Sequence, residues 1–389
     1  MRKARWWRLA ALVAAVLLAL VACGGDDDED GDASGDTGSG EPAELQPATL
    51  QLKWVTQAQI AGYYAALDQG YYEDEGIDLT IKPGGPDIVP EQVVLGGQAE
   101  FGLNWLDNTL ATRDQGGEII NIAQVFARSG MTEVTWADSG LDDITALEGK
   151  KVGVWLGGNE HKLFAALTKN GIDPDSDVEI VAQPFDMNLF LNREVDAAAA
   201  MTYNELAQVL EQENPDTGEL YTIDDLNVFL MSDLGTGALE DGVFVRSDWI
   251  EDEANQDLAT RFLKASFKGW VYCRDNPEEC LQIVLDNGPT LGEGHQRWQL
   301  NEINKLIWPN DNGIGVMDED DYATTVQIAT DYGVVKNDPG EGVYTTEYAE
   351  ATYRTDLAHD AVGQLEEEGV DILGEDYEPA EVEVTPGGE

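Results

Sequence analysis

Apolar and polar positions alternate along the chain from Thr49 onward in the order strand, helix, strand. Residues 49–54 and 77–82 show the two-residue alternation of strands, and residues 59–72 are predicted to form an aromatic-rich helix between them. The pattern continues with strands and helices at 91–95, 101–103, 106–114 and 119–126. This order is typical of an α/β unit with a largely parallel sheet.

A second unit of the same kind begins at 151–155 and ends near Leu210. The extended segments that flank it, at 132–137, 227–231 and 242–246, predict that the chain crosses between two lobes twice. After Asp248 the apolar positions follow helical spacing, and we expect those helices to pack back on the first lobe.

The first 22 residues have the pattern of a signal peptide. A basic start is followed by an apolar run at 9–22, which is shorter than the roughly 18 residues of a membrane-spanning helix. The segment Leu20-Val21-Ala22-Cys23 resembles a bacterial lipobox. We therefore expect a lipid on Cys23 that anchors an extracytoplasmic protein to the bilayer.

Composition adds two flexible segments and excludes one class of partner. Residues 23–47 are mostly Gly, Ser, Asp and Glu, which predicts a tether, and the acidic segment 371–389 is expected to be disordered. The 389 residues include 22 Lys and Arg against 76 Asp and Glu, a net charge of −54. Because nucleic acid is a polyanion, it is excluded as a partner.

Cysteine and histidine use argues against a metal site. Without Cys23, the chain keeps Cys273 and Cys280, an even number that allows a disulfide in an oxidising compartment. Seven residues of straight helix span about 10 Å, so the helix would have to break at Asn276-Pro277. We expect no metal, because two cysteines need two more ligands and the three histidines stand alone in sequence.

The sequence contains no nucleophile elbow, P-loop, zinc-protease motif or dinucleotide fingerprint, so we expect neither an enzyme nor a cofactor. Gly157 and Gly158, which precede a predicted helix, allow two interpretations. The free N–H groups of the helix start could hold an anion, or the glycines could form a plain strand-to-helix turn. An anionic ligand would need this turn or one of the scarce cations Lys53 and Arg128.

Aromatic and polar residues cluster near the ends of predicted elements, where open α/β sheets bind ligands. Trp residues there could stack on a planar ligand or pack in the core. Asn104 and Asn204 could equally cap helices, and Glu205 could favour a helix dipole. The predicted ligand-binding residues are Trp54, Gln57, Gln59, Tyr63, Asn104, Trp105, Trp155, Gly157, Gly158, Asn159, Tyr203, Asn204 and Glu205.

The run at 52–66, Leu-Lys-Trp-Val-Thr-Gln-Ala-Gln-Ile-Ala-Gly-Tyr-Tyr-Ala-Ala, resembles the opening of thiamine-pyrimidine-synthase-like periplasmic binding proteins. That group is similar to the nitrate, sulfonate and taurine binding proteins of ABC importers. Further matching motifs follow in the group's order at 70–72, 75–77, 84–85, 96–102, 147–154 and 194–197. The resemblance covers residues 48–332.

The resemblance implies a two-lobed periplasmic binding protein of type II, which closes on a small molecule and delivers it to an ABC permease. We expect a monomer whose first lobe comprises 48–133 and 242–370 and whose second lobe comprises 134–241. Each lobe is expected to hold a mixed, mostly parallel sheet flanked by helices.

The resemblance also bears on the ligand. Relatives that bind or make the thiamine pyrimidine share Trp-x-Pro-Asn-x-Asn-His after the first strand, and here Thr56, Gln57, Gln59 and Ile60 replace the Pro, both Asn and the His. The eukaryotic synthase consumes that His and uses a Cys-rich iron site, so its activity is not expected. We expect a riboflavin-like vitamin or a thiamine pyrimidine precursor. The alternative is a small anion such as a sulfonate, taurine or nitrate.

Overall fold

A computed structural model describes residues 44–353, 365 and 367–386. In this part of the chain, ten strands form two five-stranded sheets. The strands are β1 (Gln46–Gln51), β2 (Ile77–Lys82), β3 (Phe101–Asn104), β4 (Ile119–Gln124), β5 (Met131–Trp136), β6 (Lys151–Val154), β7 (Glu179–Ala182), β8 (Ala197–Met201), β9 (Leu226–Leu230) and β10 (Gly242–Arg246).

Both sheets are mixed, and each contains one reversed strand. The first has the order β2-β1-β3-β10-β4, with β1 parallel to its neighbours and β10 antiparallel to β3 and β4. The second has the order β7-β6-β8-β5-β9, with β6 parallel to its neighbours and β5 antiparallel to β8 and β9. We call each sheet with its flanking helices a lobe. The predicted fold class, two α/β lobes with mostly parallel sheets, is confirmed.

The chain crosses between the sheets at 125–130 and at 231–241, and the strand after each crossing is the reversed one. The boundary expected between residues 133 and 134 falls inside β5. Because β5 pairs with β9 from Thr132 to Trp136, the whole strand belongs to the second sheet. The return at 241–242 coincides with the start of β10.

Helices cover the faces of both sheets. They are α1 (Ala61–Asp68), α2 (Tyr71–Asp74), α3 (Pro90–Leu95), α4 (Leu106–Asp114), α5 (His161–Lys169), α6 (Asn188–Leu191), α7 (Glu205–Leu210), α8 (Glu253–Asp275), α9 (Pro277–Asn287), α10 (Glu293–Ile307), α11 (Glu319–Asp331) and α12 (Glu347–Ala351). A 3₁₀ turn at Ala58–Ile60 precedes α1.

The single helix predicted for 59–72 is divided into the 3₁₀ turn, α1 and α2. Gly70 separates the two α-helices because its φ of 75° lies in the left-handed region, which interrupts a right-handed helix. At Gly62 and Gly269, α1 and α8 make a close contact. A Cβ atom added at Gly62 would overlap the ring of Trp270, and one at Gly269 would overlap the backbone of Gly62.

The C-terminal helices pack on the first lobe through α8, as expected, but two of them also contact the second lobe. The helix α11 packs against both α4 and α5, and α10 packs against α7. Trp298 of α10 joins the apolar core of the second lobe and donates its indole N–H to Thr202 O at 2.9 Å. The helix α10 therefore packs against both lobes, which helical spacing alone does not predict.

Cys273 and Cys280 are joined in a disulfide, with Cα atoms 5.0 Å apart. The helix breaks between them as required, because α8 ends at Asp275 and α9 begins at Pro277.

Part of the segment expected to be a disordered tail lies against the folded body. Ile372 is 6% exposed, and its carbonyl accepts a hydrogen bond from Ile314 N. Val384 packs on the apolar core of the second lobe. The disorder expected for 371–389 is therefore wrong for these residues, because the segment carries apolar side chains between its acidic ones. Residues 387–389 lie outside the described range.

The predicted signal peptide, Cys23 and most of the predicted tether lie outside the described residues. The tether was expected to extend to residue 47, but β1 already begins at Gln46. Among the residues that the structure describes, none of the helices has the length and apolar character needed to cross a membrane.

Glu133 lies in the middle of β5 and is fully buried. Neither of its carboxyl oxygens has a hydrogen-bond partner among the described residues, and burial raises its pKa well above the usual range. An unpartnered buried carboxyl group destabilises the folded state.

We predict that Glu133→Met raises the free energy of unfolding by about 1–3 kcal/mol, because it removes an unsatisfied buried polar group. The folded state holds this proton above the unfolded pKa of about 4.3, so the wild type loses stability as pH rises from there. Urea unfolding at pH 4 and pH 8 should show the larger gain at pH 8. The exposed Glu179→Met is the control, and an equal effect of the two substitutions would contradict the prediction.

Candidate ligand-binding cleft

A cavity of about 690 Å³ lies between the two sheets. Most of its lining comes from the segments at the carboxyl ends of β1, β3, β6, β7 and β8 and from the segment 85–92 that leads into α3. Residues 333–334, after α11, complete it. This is where open α/β sheets bind ligands, and the volume is that of a small-molecule site.

Three aromatic residues from the two lobes meet at this cavity. Trp54 of the first lobe and Phe185 of the second have ring centroids 4.7 Å apart, tilted by 56°. Phe185 is stacked at 14° to Trp155, with 6.4 Å between the centroids. Because Phe185 is 45% exposed beside two tryptophans, the cleft offers flat apolar surface from both lobes.

Twelve of the thirteen residues predicted to bind ligand line the cavity: Trp54, Gln57, Gln59, Asn104, Trp105, Trp155, Gly157, Gly158, Asn159, Tyr203, Asn204 and Glu205. The prediction for Tyr63 is wrong in placement. Its ring packs in the core against Phe262 and Trp270, with centroids at 6.4 and 5.7 Å. The close approach of α8 to Gly62 covers this face of α1.

A chain of side-chain amides forms one wall of the cleft. Gln57 Nε2 donates to Gln59 Oε1 at 2.7 Å, and Gln59 Nε2 donates to Asp241 Oδ2 at 2.6 Å. Burial raises the pKa of Asp241, and the hydrogen bond from Gln59 and the charge of Lys53 partly offset this rise. Asp241 lies in the second crossing segment with a φ of 41°, a left-handed conformation that costs energy in a non-glycine residue.

The start of the 3₁₀ turn is held by two glutamines of α10. Gln296 Oε1 accepts from Ala58 N at 2.7 Å, and Gln299 Oε1 accepts from Gln59 N at 3.1 Å. These contacts satisfy backbone N–H groups that a short turn leaves free, and they fix the position of Gln57 and Gln59.

Lys53 is one of the residues that line the cleft. Its ammonium donates to Asn104 Oδ1 at 2.9 Å and lies 4.5 Å from the ring centroid of Trp105. Burial lowers its pKa, and the carboxyl groups of Asp107, Asp241 and Glu91 act in the opposite direction. The pKa of Lys53 is lowered overall, so burial outweighs the three carboxyl groups and disfavours the charged form.

Asn104 and Asn204 organise the site through contacts within the protein. Asn104 Nδ2 donates to Glu91 Oε1 at 2.6 Å, in addition to the contact with Lys53. Asn204 Oδ1 lies 2.8 Å from His295 Nε2, and His295 Nδ1 lies 2.9 Å from Glu211 Oε1. Neither asparagine side chain caps the helix that follows it, so the capping alternative is wrong.

A buried group of charges lies behind Trp105. Lys162 Nζ is 3.8 Å from the Trp105 ring centroid, 3.6 Å from Glu240 Oε1 and 3.9 Å from Asp107 Oδ2. Glu240 also accepts from Ser129 Oγ at 2.7 Å and from Gly130 N at 3.0 Å. This group connects both crossings of the chain to α4 and α5.

The turn at Gly157-Gly158 is hydrogen-bonded to a carboxylate of the protein. Gly158 N donates to Glu160 Oε2 at 2.7 Å, so this carboxylate takes the N–H that was a candidate anion site. The turn faces the other lobe, because a Cβ at Gly158 would lie 2.9 Å from Asn108 Oδ1. The other candidate cation, Arg128, donates to the carbonyl oxygens of Lys305, Trp308 and Pro309 instead.

Sequence reasoning missed Phe185, Glu160 and Lys162. Phe185 was missed because β7, the strand that precedes it, was not predicted from the sequence. Its contact with Trp54 also depends on how the two lobes meet. Lys162 directly follows the first residue of a helix, where helical spacing gives no sign of a buried charge.

Two mixed sheets, two crossing segments and an interposed cavity define a two-lobed solute-binding fold. The NMT1/THI5-like family model matches residues 57–280, more than half of the chain, and the chain therefore belongs to this family. The resemblance seen in the sequence motifs is thereby confirmed.

Three curated relatives are similar over most of their length. The formylaminopyrimidine-binding protein of Halalkalibacterium halodurans is 24% identical over 246 residues, 62% of this chain and 71% of the relative. The riboflavin-binding protein RibY of Chloroflexus aurantiacus is 23% identical over 302 residues, 75% and 82% of the two chains. The 4-amino-5-hydroxymethyl-2-methylpyrimidine phosphate synthase of Legionella pneumophila is 27% identical over 248 residues, 62% and 74%.

Among solved structures, the putative periplasmic sulfonate-binding protein SsuA of Methylobacillus flagellatus has a TM-score of 0.60 at 15% identity, covering 84% of this chain and 96% of that one. This likeness confirms the fold of a type II periplasmic binding protein.

We predict that Lys162→Met lowers the free energy of unfolding by about 3–5 kcal/mol, because it leaves the buried carboxylate of Glu240 without its cation. The loss should be smaller at pH 5 than at pH 8, since burial raises the pKa of Glu240 and its protonation at lower pH removes the unpaired charge. Urea unfolding measures both quantities, with the exposed Lys151→Met as the control. A loss no larger than that of the control would contradict the role assigned to Lys162.

Proposed function

We propose that the protein is the extracytoplasmic solute-binding component of an ABC importer, and that it captures a small planar heterocycle in the cleft for delivery to a permease. The family, the fold and the cavity between the lobes support this role. The leader and Cys23 support a lipid anchor at the membrane.

The proposal of a heterocyclic ligand rests on the aromatic group formed by Trp54, Trp155 and Phe185. Flat rings contributed by both lobes suit a planar ligand, which they contact by stacking. The neighbouring amides, such as Gln57, offer donors and acceptors for the edge of a heterocycle. Formylaminopyrimidine and riboflavin, the ligands in the names of two relatives, are both planar heterocycles.

A small anion is a weaker candidate. Among the described residues that line the cavity, Lys53 is the only Lys or Arg, and its charge interacts with three carboxyl groups. Glu160 takes the Gly158 N–H, and Arg128 donates to backbone carbonyls outside the cavity. An anion would therefore enter a site in which burial disfavours the charge of Lys53 and the Gly158 N–H is already bonded to Glu160.

We further propose that the protein binds its ligand without converting it, although synthases are among its relatives. Ile60 occupies the position at which the resemblance places the reactive His. Cys273 and Cys280 are joined in a disulfide, so they do not offer thiolate ligands to iron. Binding would act by favouring the closed arrangement of the lobes, because contacts to both lobes exist only there.

Titration calorimetry of the purified protein tests the ligand class. Riboflavin, formylaminopyrimidine, taurine and nitrate are titrated separately, and chromatography checks each heterocycle for turnover. We expect saturable binding of one heterocycle, recovered unchanged, and no heat from the two anions. Binding of taurine or nitrate alone would favour the anion alternative, and conversion of a heterocycle would favour an enzyme.

We predict that Phe185→Ala and Trp54→Ala each weaken binding of that heterocycle by about 10- to 100-fold, the range of a lost stacking contact. The matched control is Ile223→Ala, which truncates another exposed apolar side chain of the second lobe outside the cavity. Unchanged affinity in both aromatic variants would contradict stacking in this cleft.

A further inference from the structure

The carboxylate of Glu160 lies at the lining of the cleft and is partly exposed. Its Oε2 accepts from Gly158 N at 2.7 Å, so the peptide N–H of a residue that lines the cavity is bonded to a negative group of the protein. A phosphate entering at this point would have to displace that carboxylate and then lie beside it.

Two further carboxyl groups of the cleft would also disfavour a phosphate. Glu91 and Glu205 also line the cavity, and each is at least 97% buried. Lys162, the second lysine nearby, is fully buried between Glu240, Asp107 and the Trp105 ring. Glu160 therefore completes a lining in which carboxyl groups outnumber the one lysine that reaches the cavity.

We propose that the cleft selects the unphosphorylated form of its heterocyclic ligand over the phosphate ester, and that Glu160 is the specificity-determining residue. This inference rests on the proposed function. Its physical basis is repulsion between two negative groups that compete for one N–H donor in a partly dehydrated site.

The proposal assigns a function to the glycine turn. Gly157 and Gly158 have φ values of 104° and 126°, so the backbone can point its N–H at the Glu160 carboxylate. The turn would otherwise resemble an anion-binding loop before a helix. With Glu160 bonded to it, the same turn rejects anions.

The test compares two ligand pairs by titration calorimetry. The pairs are riboflavin with riboflavin 5′-phosphate, and 4-amino-5-hydroxymethyl-2-methylpyrimidine with its phosphate. We expect the wild type to bind the free member of one pair at least about 100-fold more tightly than the phosphate. A neutral acetate ester of the same hydroxyl separates charge from size, and it should bind more tightly than the phosphate.

In Glu160→Ser, which frees the Gly158 N–H, the ratio of the two dissociation constants should fall at least about tenfold, chiefly through tighter binding of the phosphate. Glu160→Gln removes the charge but keeps an acceptor, and the ratio should fall less. The exposed Glu194→Ser is the control and should keep the wild-type ratio. Thermal unfolding verifies that each variant is folded.

The outcomes separate this inference from the proposed function. If the free heterocycle and its phosphate bind equally well, or if the ratio stays unchanged in both Glu160 variants, the inference is overturned while the proposed function stands. Rejection of the acetate along with the phosphate would mean that size, not charge, excludes the ester. If neither pair nor formylaminopyrimidine binds, the proposed function falls, and the inference with it.

Discussion

The carboxylate of Glu240 ties together the two segments through which the chain passes between its sheets. It accepts hydrogen bonds from Ser129 and Gly130 at one crossing, is itself part of the other, and lies 3.6 Å from the Lys162 ammonium. Because both crossings are fixed there, the carboxyl ends of the parallel strands in the two sheets face one another. The cavity, its aromatic residues and the buried charges behind Trp105 all depend on this arrangement.

The sequence predicted the fold where the signal is local. Alternation located β2 at its observed bounds. Twelve of the lining residues, including Trp54 and Trp155, were identified from strand ends, because ligands bind at such ends in open sheets. Contacts between distant segments could not be predicted. Gln299 satisfies Gln59 N from 240 residues away, and Tyr63 was misplaced because its helix gives no sign of which face α8 covers.

In the proposed function, charge in the cleft determines which ligand binds. A type II binding fold can hold anions or uncharged molecules, so the choice depends on side chains at the strand ends. Here burial lowers the pKa of Lys53, and Glu160 accepts the N–H of the Gly157-Gly158 turn. What remains accessible is aromatic surface and amide groups, a combination that suits the proposed flat, uncharged ligand through stacking and hydrogen bonds at its edges.

The central claim is that a planar heterocycle binds between the two lobes against their aromatic residues. The most direct measurement is a crystal structure of the protein grown with riboflavin or formylaminopyrimidine, whichever gives saturable binding. The account predicts electron density for the ring system within the cavity, in contact with Trp54 of the first lobe and Trp155 or Phe185 of the second. A ligand bound elsewhere, or one that contacts a single lobe only, would contradict it.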